Sequence, residues 1–112
     1  MKQLKILFID NKILKHKLDT LIGILEKIGY DVNLTICNKS CDIHQYKEDK
    51  FDISFVDYML IRDKLNSITS SKICITSSSD DSSIPKFALN NKLNFLYKPF
   101  NIEKMVNMIT SN

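Results

Sequence analysis

The sequence is poor in the residues that interrupt regular structure. Its 112 residues include only two glycines, Gly23 and Gly29, and two prolines, Pro85 and Pro99. Turns and linkers depend on these residue types, so little of the chain is left for flexible connections. A chain of this length also buries enough surface for one hydrophobic core but not for two. We therefore predict a single domain, residues 1–112, in which helices and strands follow one another closely.

Arginine is almost absent. Arg62 is the only one, and the net charge of +3 comes from lysines spread along the chain. Nucleic-acid-binding proteins concentrate their basic residues on one face and use arginine for base contacts. The densest basic group here is Lys12, Lys15 and Lys17, whose helical spacing is typical of a solvated helix face. The composition therefore argues against direct nucleic-acid binding.

The sequence also has no long apolar run and no even set of cysteines. No stretch approaches 18 apolar residues, and no charged start leads into an apolar segment, so we expect neither a membrane span nor export. Cys37, Cys41 and Cys74 are odd in number, which favours free thiols in the reducing cytoplasm. Zinc binding by Cys37, Cys41 and His44 is disfavoured because no fourth ligand lies nearby in the sequence.

Short apolar runs alternate with stretches of helical spacing five times along the chain. Such alternation predicts an α/β fold, with a parallel sheet between two layers of helices joined by right-handed crossovers. The predicted strands are 4–9, 32–36, 51–56, 73–75 and 93–97. The predicted helices are 12–28, 40–47, 64–69, 83–88 and 101–109.

Individual residues refine these elements. The first helix has an apolar stripe and ends at Gly29. Alternation of apolar and polar residues in the second strand predicts an edge position or a strand covered on one side. Ser83 and Asn101 are predicted helix N-caps. The stripe consists of Leu14, Leu18, Leu21, Leu25 and Ile28.

Four polar residues stand where predicted strands end: Asp10, Asp57, Thr76 and Lys98. Each is a weak signal alone, because a strand-end aspartate often caps a helix and a single lysine is usually solvated. In parallel α/β sheets, however, ligands bind beyond the carboxyl ends of the strands, where the strand order reverses. Two acids, a hydroxyl and a cation at that edge predict a binding site for an anion, a metal ion or both.

With these four polar residues at its predicted strand ends, the chain resembles the receiver domains of two-component response regulators over nearly its whole length. Lys-Pro-Phe after an apolar strand is the most specific match. The resemblance implies a flavodoxin-like, doubly wound sheet of five parallel strands in the order 2-1-3-4-5. The matching segments are Ile6-Leu7-Phe8-Ile9-Asp10-Asn11, Phe55-Val56-Asp57-Tyr58-Met59-Leu60, Ile73-Cys74-Ile75-Thr76-Ser77 and Tyr97-Lys98-Pro99-Phe100.

The resemblance implies a phosphoacceptor and a metal site. Asp57 would accept the phosphoryl group. Asp10, Asn11 and Asp57, with the backbone carbonyl of Met59, would bind Mg²⁺. This agrees with the chemistry, because a carboxylate attacking a phosphoryl donor needs the negative charges of both partners neutralised.

The resemblance also assigns the phosphate contacts. Thr76 and Lys98 would bind the phosphoryl oxygens, and the bond before Pro99 would be cis, which directs Lys98 into the pocket. Lys98 is therefore expected within ion-pair reach of Asp57. Thr76 and Phe95 would form the conformational switch, although Phe95 has an equally good interpretation as a core residue.

Three departures from the family pattern stand out. Asn11 replaces the second of two adjacent acids, which removes a negative charge from the metal site and predicts weak Mg²⁺ binding. Only 19 positions separate Asp57 from Thr76, so the third helix is expected to be short. Phe95 has no hydroxyl with which its rotation could make or lose a hydrogen bond.

Two functions from different classes remain open. One is a phosphorylatable switch that receives its phosphoryl group from a sensor histidine kinase or a phosphotransfer protein. It would act on a downstream protein or effector domain through the fourth helix, fifth strand and fifth helix, as a monomer or weak dimer. The other is a pseudo-receiver that binds proteins without phosphorylation. A flavodoxin-like or hydrolase-like enzyme is disfavoured, because no glycine-rich loop follows the first strand and no second acid lies two residues after Asp10 or Asp57.

Overall fold

A computed structural model describes residues 2–10, 15–38, 45–46, 50–61 and 64–111 of the chain. Within these ranges a helix follows four of the five strands, as the periodicity predicted, and most of the connection between the second and third strands lies outside them. The strands are β1 (Lys2–Ile9), β2 (Tyr30–Cys37), β3 (Phe51–Asp57), β4 (Ser70–Ser77) and β5 (Asn94–Tyr97). The helices are α1 (Lys15–Ile28), α2 (Tyr58–Ile61), α3 (Ser83–Asn90) and α4 (Ile102–Thr110).

The five strands form one sheet in the order β2-β1-β3-β4-β5, and every neighbouring pair is parallel. This confirms the doubly wound, flavodoxin-like fold and the edge position of β2. The interior strand β1 is buried on both sides of the sheet, and its residues from Ile6 to Ile9 have no exposed surface. Of the neighbours of β1, β2 lies on one side and β3 on the other, which places the reversal of strand order between β1 and β3.

Two apolar layers cover the two faces of the sheet. On one face, Phe8 and Phe55 stack with ring centroids 4.9 Å apart, and side chains of α1 and α4 pack over them. On the other face, α2 and α3 bury Ile61, Ile84 and Ala88 against alternate residues of the same strands. Helices therefore cover both faces, as the alternating sequence pattern predicted.

The helix ends agree with the sequence in two places and differ in two. Gly29 ends α1 with φ of +117°, a conformation that favours glycine. Asn101 caps α4, since its side chain accepts a hydrogen bond from the backbone N–H of Lys104. Ile28 was expected in the apolar stripe, but it lies in the last turn of α1 and is 55% exposed. Ser83 is the first residue of α3 rather than its N-cap, and Asp81 accepts its backbone N–H instead.

The connection between β3 and β4 contains little helix in the residues that the structure describes. α2 follows Asp57 directly with four residues, and the predicted helix over 64–69 is a 3-10 turn at Leu65–Ser67. The shortened third helix is thus confirmed, and the predicted fourth and fifth helices correspond to α3 and α4. Of the predicted helix 40–47, only residues 45 and 46 lie within the described ranges. None of the helices described is long and apolar enough to cross a membrane.

Candidate functional site

Two aspartates lie at the carboxyl edge of the sheet where the strand order reverses. Asp57 is the last residue of β3, and Asp10 directly follows β1. The backbone N–H of Asp10 donates to the carbonyl of Cys37 at the end of β2, which fixes the chain as it leaves the sheet. Because β1 and β3 are parallel neighbours, both carboxylates emerge at the same edge.

Lys98 joins the two acids. Its Nζ lies 2.8 Å from Oδ1 of Asp57 and 2.7 Å from Oδ2 of Asp10. The expected ion pair between Lys98 and Asp57 is therefore confirmed, and a second one with Asp10 accompanies it. The three side chains carry two negative charges and one positive charge, a formal total of −1.

The three charged groups differ in their access to solvent. The side chain of Asp10 is 5% exposed, whereas those of Asp57 and Lys98 are 15% and 20% exposed. Burial by itself lowers the pKa of Lys98, but the hydrogen bonds and charges of Asp10 and Asp57 outweigh it and raise that pKa. The ammonium group is thus held in its charged form, and Asp57 is the more accessible acid.

The turn after β5 is fastened at several points, which fixes the direction of Lys98. The backbone N–H of Lys98 donates to the carbonyl of Ser77 at the end of β4, and the bond to Pro99 is cis, as expected. The ring of Phe100 packs edge-on against Phe8 with centroids 6.3 Å apart. Lys17 of α1 donates from Nζ to the carbonyl of Phe100 at 3.4 Å. The turn is therefore held by contacts with β4, β1 and α1.

The remaining predicted site residues lie at different distances from this group. Thr76 is buried and is the direct register partner of Asp57 on β4. Met59 is the second residue of α2 and is 64% exposed. Phe95 is half-buried, and its ring meets that of Tyr97 edge-on at 4.6 Å. Asn11 lies outside the described residues.

The donor atoms at this edge suit a hard divalent cation. Asp10 and Asp57 offer carboxylate oxygens, the ligand type that Mg²⁺ prefers. Within the described ranges, no cluster of three or more His, Cys, Asp or Glu side chains is arranged to hold a metal ion. Protein ligands of Mg²⁺ are commonly only one or two carboxylates, with water completing the shell, so the two aspartates fit the ion.

Sequence reasoning missed two contacts. It did not find the ion pair between Lys98 and Asp10, although both residues were assigned to the same edge. It also missed the edge-on packing of Tyr58 against Phe87, with ring centroids 5.2 Å apart, which links the residue after Asp57 to α3. Tyr58 belongs to the motif around Asp57, but nothing in the sequence indicates its partner.

Neither protein-family models nor curated proteins match this sequence. Solved structures do match its fold. One is a response regulator from Burkholderia pseudomallei, solved with a phosphorylated aspartic acid, a calcium ion and citrate. It is 23% identical with a TM-score of 0.62, and the match covers 97% of this chain and 68% of that one.

Two further structures extend the comparison. The receiver domain of Ssk1 from Saccharomyces cerevisiae, solved with the histidine phosphotransfer protein Ypd1, has a TM-score of 0.64 at 20% identity, covering 97% of this chain and 88% of that one. The receiver domain of a putative response regulator, NarL, from Mycobacterium tuberculosis has a TM-score of 0.65 at 14% identity, with coverage of 97% and 94%. At such identities the likeness establishes the fold, which is that of response-regulator receiver domains.

Proposed function

We propose that residues 1–112 form a phosphoacceptor receiver domain that is phosphorylated on Asp57 in a reaction dependent on Mg²⁺. The observation that carries the proposal is the placement of Lys98 between the carboxylates of Asp57 and Asp10. This group lies at the reversal of strand order, where sheets of this type bind their ligands. The domain would be a self-modifying switch of the cytoplasm and not an enzyme with a separate substrate.

The reaction would be a transfer of a phosphoryl group to the carboxylate of Asp57. An oxygen of Asp57 attacks phosphorus, an O–P bond forms, and the bond from phosphorus to the donor's leaving group breaks. Such transfers depend mainly on positioning and charge stabilisation. Asp57 is the acid more accessible to a donor, and the ammonium of Lys98 already lies beside one oxygen of its carboxylate.

The other groups would complete the site. Asp10, Asp57, Asn11 and the carbonyl of Met59 would hold Mg²⁺, which supplies positive charge to the phosphoryl oxygens. Thr76 would contact the same oxygens from β4, because it is the register partner of Asp57. Lys98 would move from sharing its charge between two acids to pairing with the phosphoryl group.

The domain would bind its downstream target through the surface formed by α3, β5 and α4. Leu89 on α3 is 75% exposed and Tyr97 on β5 is 52% exposed, so this surface presents apolar groups to a partner. Phe95 would transmit the change at Thr76, because it is the register partner of Ile75, the neighbour of Thr76. The donor would be a histidine kinase or a phosphotransfer protein, and the target a protein or an effector domain.

The second candidate is a pseudo-receiver that binds its partner without phosphorylation. Lys98 supports it, because its ammonium pairs with both carboxylates and offsets one of their two negative charges from within the chain. A calorimetric titration with Mg²⁺ and beryllium fluoride, a phosphoryl analogue, separates the two candidates. The switch requires binding of the analogue in the presence of Mg²⁺, loss of binding in Asp57→Ala and retention in the control Asp19→Ala, which alters an exposed acid of α1. Absence of analogue binding at every Mg²⁺ concentration would favour the pseudo-receiver.

A further inference from the structure

The two edges of the sheet are unequal. β5 has four residues and is flanked by Lys92, whose φ is positive, and by Pro99. β2 has eight residues that pair with β1 in an unbroken register from Tyr30 to Cys37. Within the described ranges, β2 has β1 on one side and no strand on the other.

β2 lacks the features that normally protect an edge strand. Natural edges are shortened, bulged or supplied with lysine and proline so that they do not pair with another chain. β2 contains no lysine, arginine, proline or glycine, and its one charged residue is Asp31. That carboxylate is turned to β1, where Oδ2 accepts a hydrogen bond from Nε2 of Gln3 at 2.8 Å. The edge is therefore long and regular, and it carries a single charge.

The backbone hydrogen bonds show which groups of β2 face outward. The carbonyls of Gly29 and Cys37 accept hydrogen bonds from the backbone N–H groups of Lys2 and Asp10 on the β1 side. Backbone groups of successive residues in a strand point to opposite edges, so the odd-numbered residues of β2 face β1. The N–H and C=O groups at the open edge belong to Tyr30, Val32, Leu34 and Ile36.

The outward N–H and C=O groups of β2 can pair with the same groups of a second β2 strand. We propose that β2 pairs antiparallel with β2 of a second copy of this chain, about a two-fold axis at Asn33. Tyr30 then lies opposite Ile36 of the partner, and Val32 opposite Leu34 of the partner. This register matches every outward-facing residue with another outward-facing residue, so each donates and accepts a hydrogen bond across the axis. The two sheets join into one continuous sheet.

The side chains agree with the same register. Tyr30, Val32 and Leu34 pack on the apolar face beneath α1, and alternation puts Ile36 on that face, where it is 44% exposed. Residues directly opposite in an antiparallel pair point to the same face, so this face stays apolar across the joint. We take the partner to be a second copy of this chain, because β2 supplies both the hydrogen-bonding groups and the apolar side chains that the open edge of β2 requires.

The opposite face stays polar and free of repulsion. Asp31 lies opposite Thr35 of the partner, and Asn33 lies opposite Asn33 of the partner. No like charges oppose each other, and the two amide side chains can exchange hydrogen bonds. The dimer is independent of the phosphorylation of Asp57.

Charge at the two-fold axis tests the proposal. Light scattering on the full chain over a dilution series is expected to show a concentration-dependent dimer. Asn33 is exposed, so Asn33→Lys and Asn33→Asp leave the monomer folded, which circular dichroism checks. Each variant alone is expected to weaken association by roughly fivefold or more, because like charges then meet across the axis. Asn107→Lys, at an exposed site on α4, is the matched control and should associate like the parent.

Mixing the two charged variants identifies the register. An equimolar mixture of Asn33→Lys and Asn33→Asp should recover association, as a heterodimer in which opposite charges meet at the axis. A parent protein that stays monomeric at the highest soluble concentration would overturn the proposal. So would charged variants that dimerise like the parent, or a mixture that associates no better than its components.

Discussion

Lys98 and Asp10 form an ion pair, with Nζ of the lysine 2.7 Å from Oδ2 of the aspartate. This pair joins the turn after β5 to the end of β1, and Asp57 lies on the other side of the same ammonium group. The lysine thus holds together two acids that would otherwise repel each other. We therefore expect the stability of the domain and its proposed chemistry to depend on the same cation.

Removing that cation is expected to destabilise the fold. Lys98→Met leaves the buried carboxylate of Asp10 beside Asp57 without a counter-charge, at a cost of about 1–3 kcal/mol, below the value for fully buried pairs because water reaches the site. Urea unfolding measures the loss, with Lys104→Met at an exposed position as the control. Adding Asp10→Asn to Lys98→Met should recover part of it. Equal stability of Lys98→Met and the control would contradict the pairing.

The cap of α4 provides an independent check of the fold. Asn101 accepts a hydrogen bond from the backbone N–H of Lys104 at 3.0 Å. Asn101→Ala should lower the free energy of unfolding by about 1 kcal/mol, since it leaves a helix N-terminal donor without its cap. Asn107→Ala, an exposed change within the same helix, should have little effect. If the two variants unfold at the same urea concentration, the cap is not formed.

Cys74 should be chemically inert in the folded protein. It lies in the core, and burial raises the pKa of its thiol to about 12. Since the thiolate is the reactive form, the thiol stays protonated at pH 8, and reactivity should appear only as the pH nears 12 or the chain unfolds. Peptide mapping after iodoacetamide treatment tests this. Labelling of Cys74 in native protein at the rate seen in urea would show that the strand is open.

The sequence predicted the sheet because its interior strands contain short apolar runs and its second strand alternates apolar with polar residues. The segment from Ile6 to Ile9 is apolar throughout, and the structure buries it on both sides. The sequence also predicted that Asp57 and Lys98 lie at strand ends, because an apolar run ends just before each of them. The ion pair between Lys98 and Asp57 was expected from the resemblance, and parallel strands bring both residues to one edge of the sheet.

Three other features depend on three-dimensional packing, which the spacing of residues along the sequence does not reveal. Ile28 continues the apolar stripe of α1, yet it is the last residue of that helix and its side chain is exposed. The start of α3 differs by one residue, since Ser82 precedes the helix and Asp81 accepts the backbone N–H of Ser83. The contact between Lys98 and Asp10 needed side-chain positions that spacing alone does not give.

Asn11 lies outside the described residues, and its role stays a prediction from the sequence. Asn11→Asp adds a second acid next to Asp10 and should strengthen Mg²⁺ binding by roughly 10-fold to 100-fold, because hard dications prefer a carboxylate to an amide. Calorimetric titration with Mg²⁺ measures the change. Unchanged affinity in Asn11→Asp would mean that this position does not face the ion.

Phosphorylation of Asp57 is the most direct test of the central proposal. The protein is incubated with a small acyl phosphate over a range of Mg²⁺ concentrations, and the modified residue is located by mass spectrometry of its peptides. We predict that one phosphoryl group appears on Asp57 in the presence of Mg²⁺, faster in Asn11→Asp, and that Asp57→Ala takes up none. If Asp57 stays unmodified at every Mg²⁺ concentration in both the parent and Asn11→Asp, the domain is not a phosphorylatable switch.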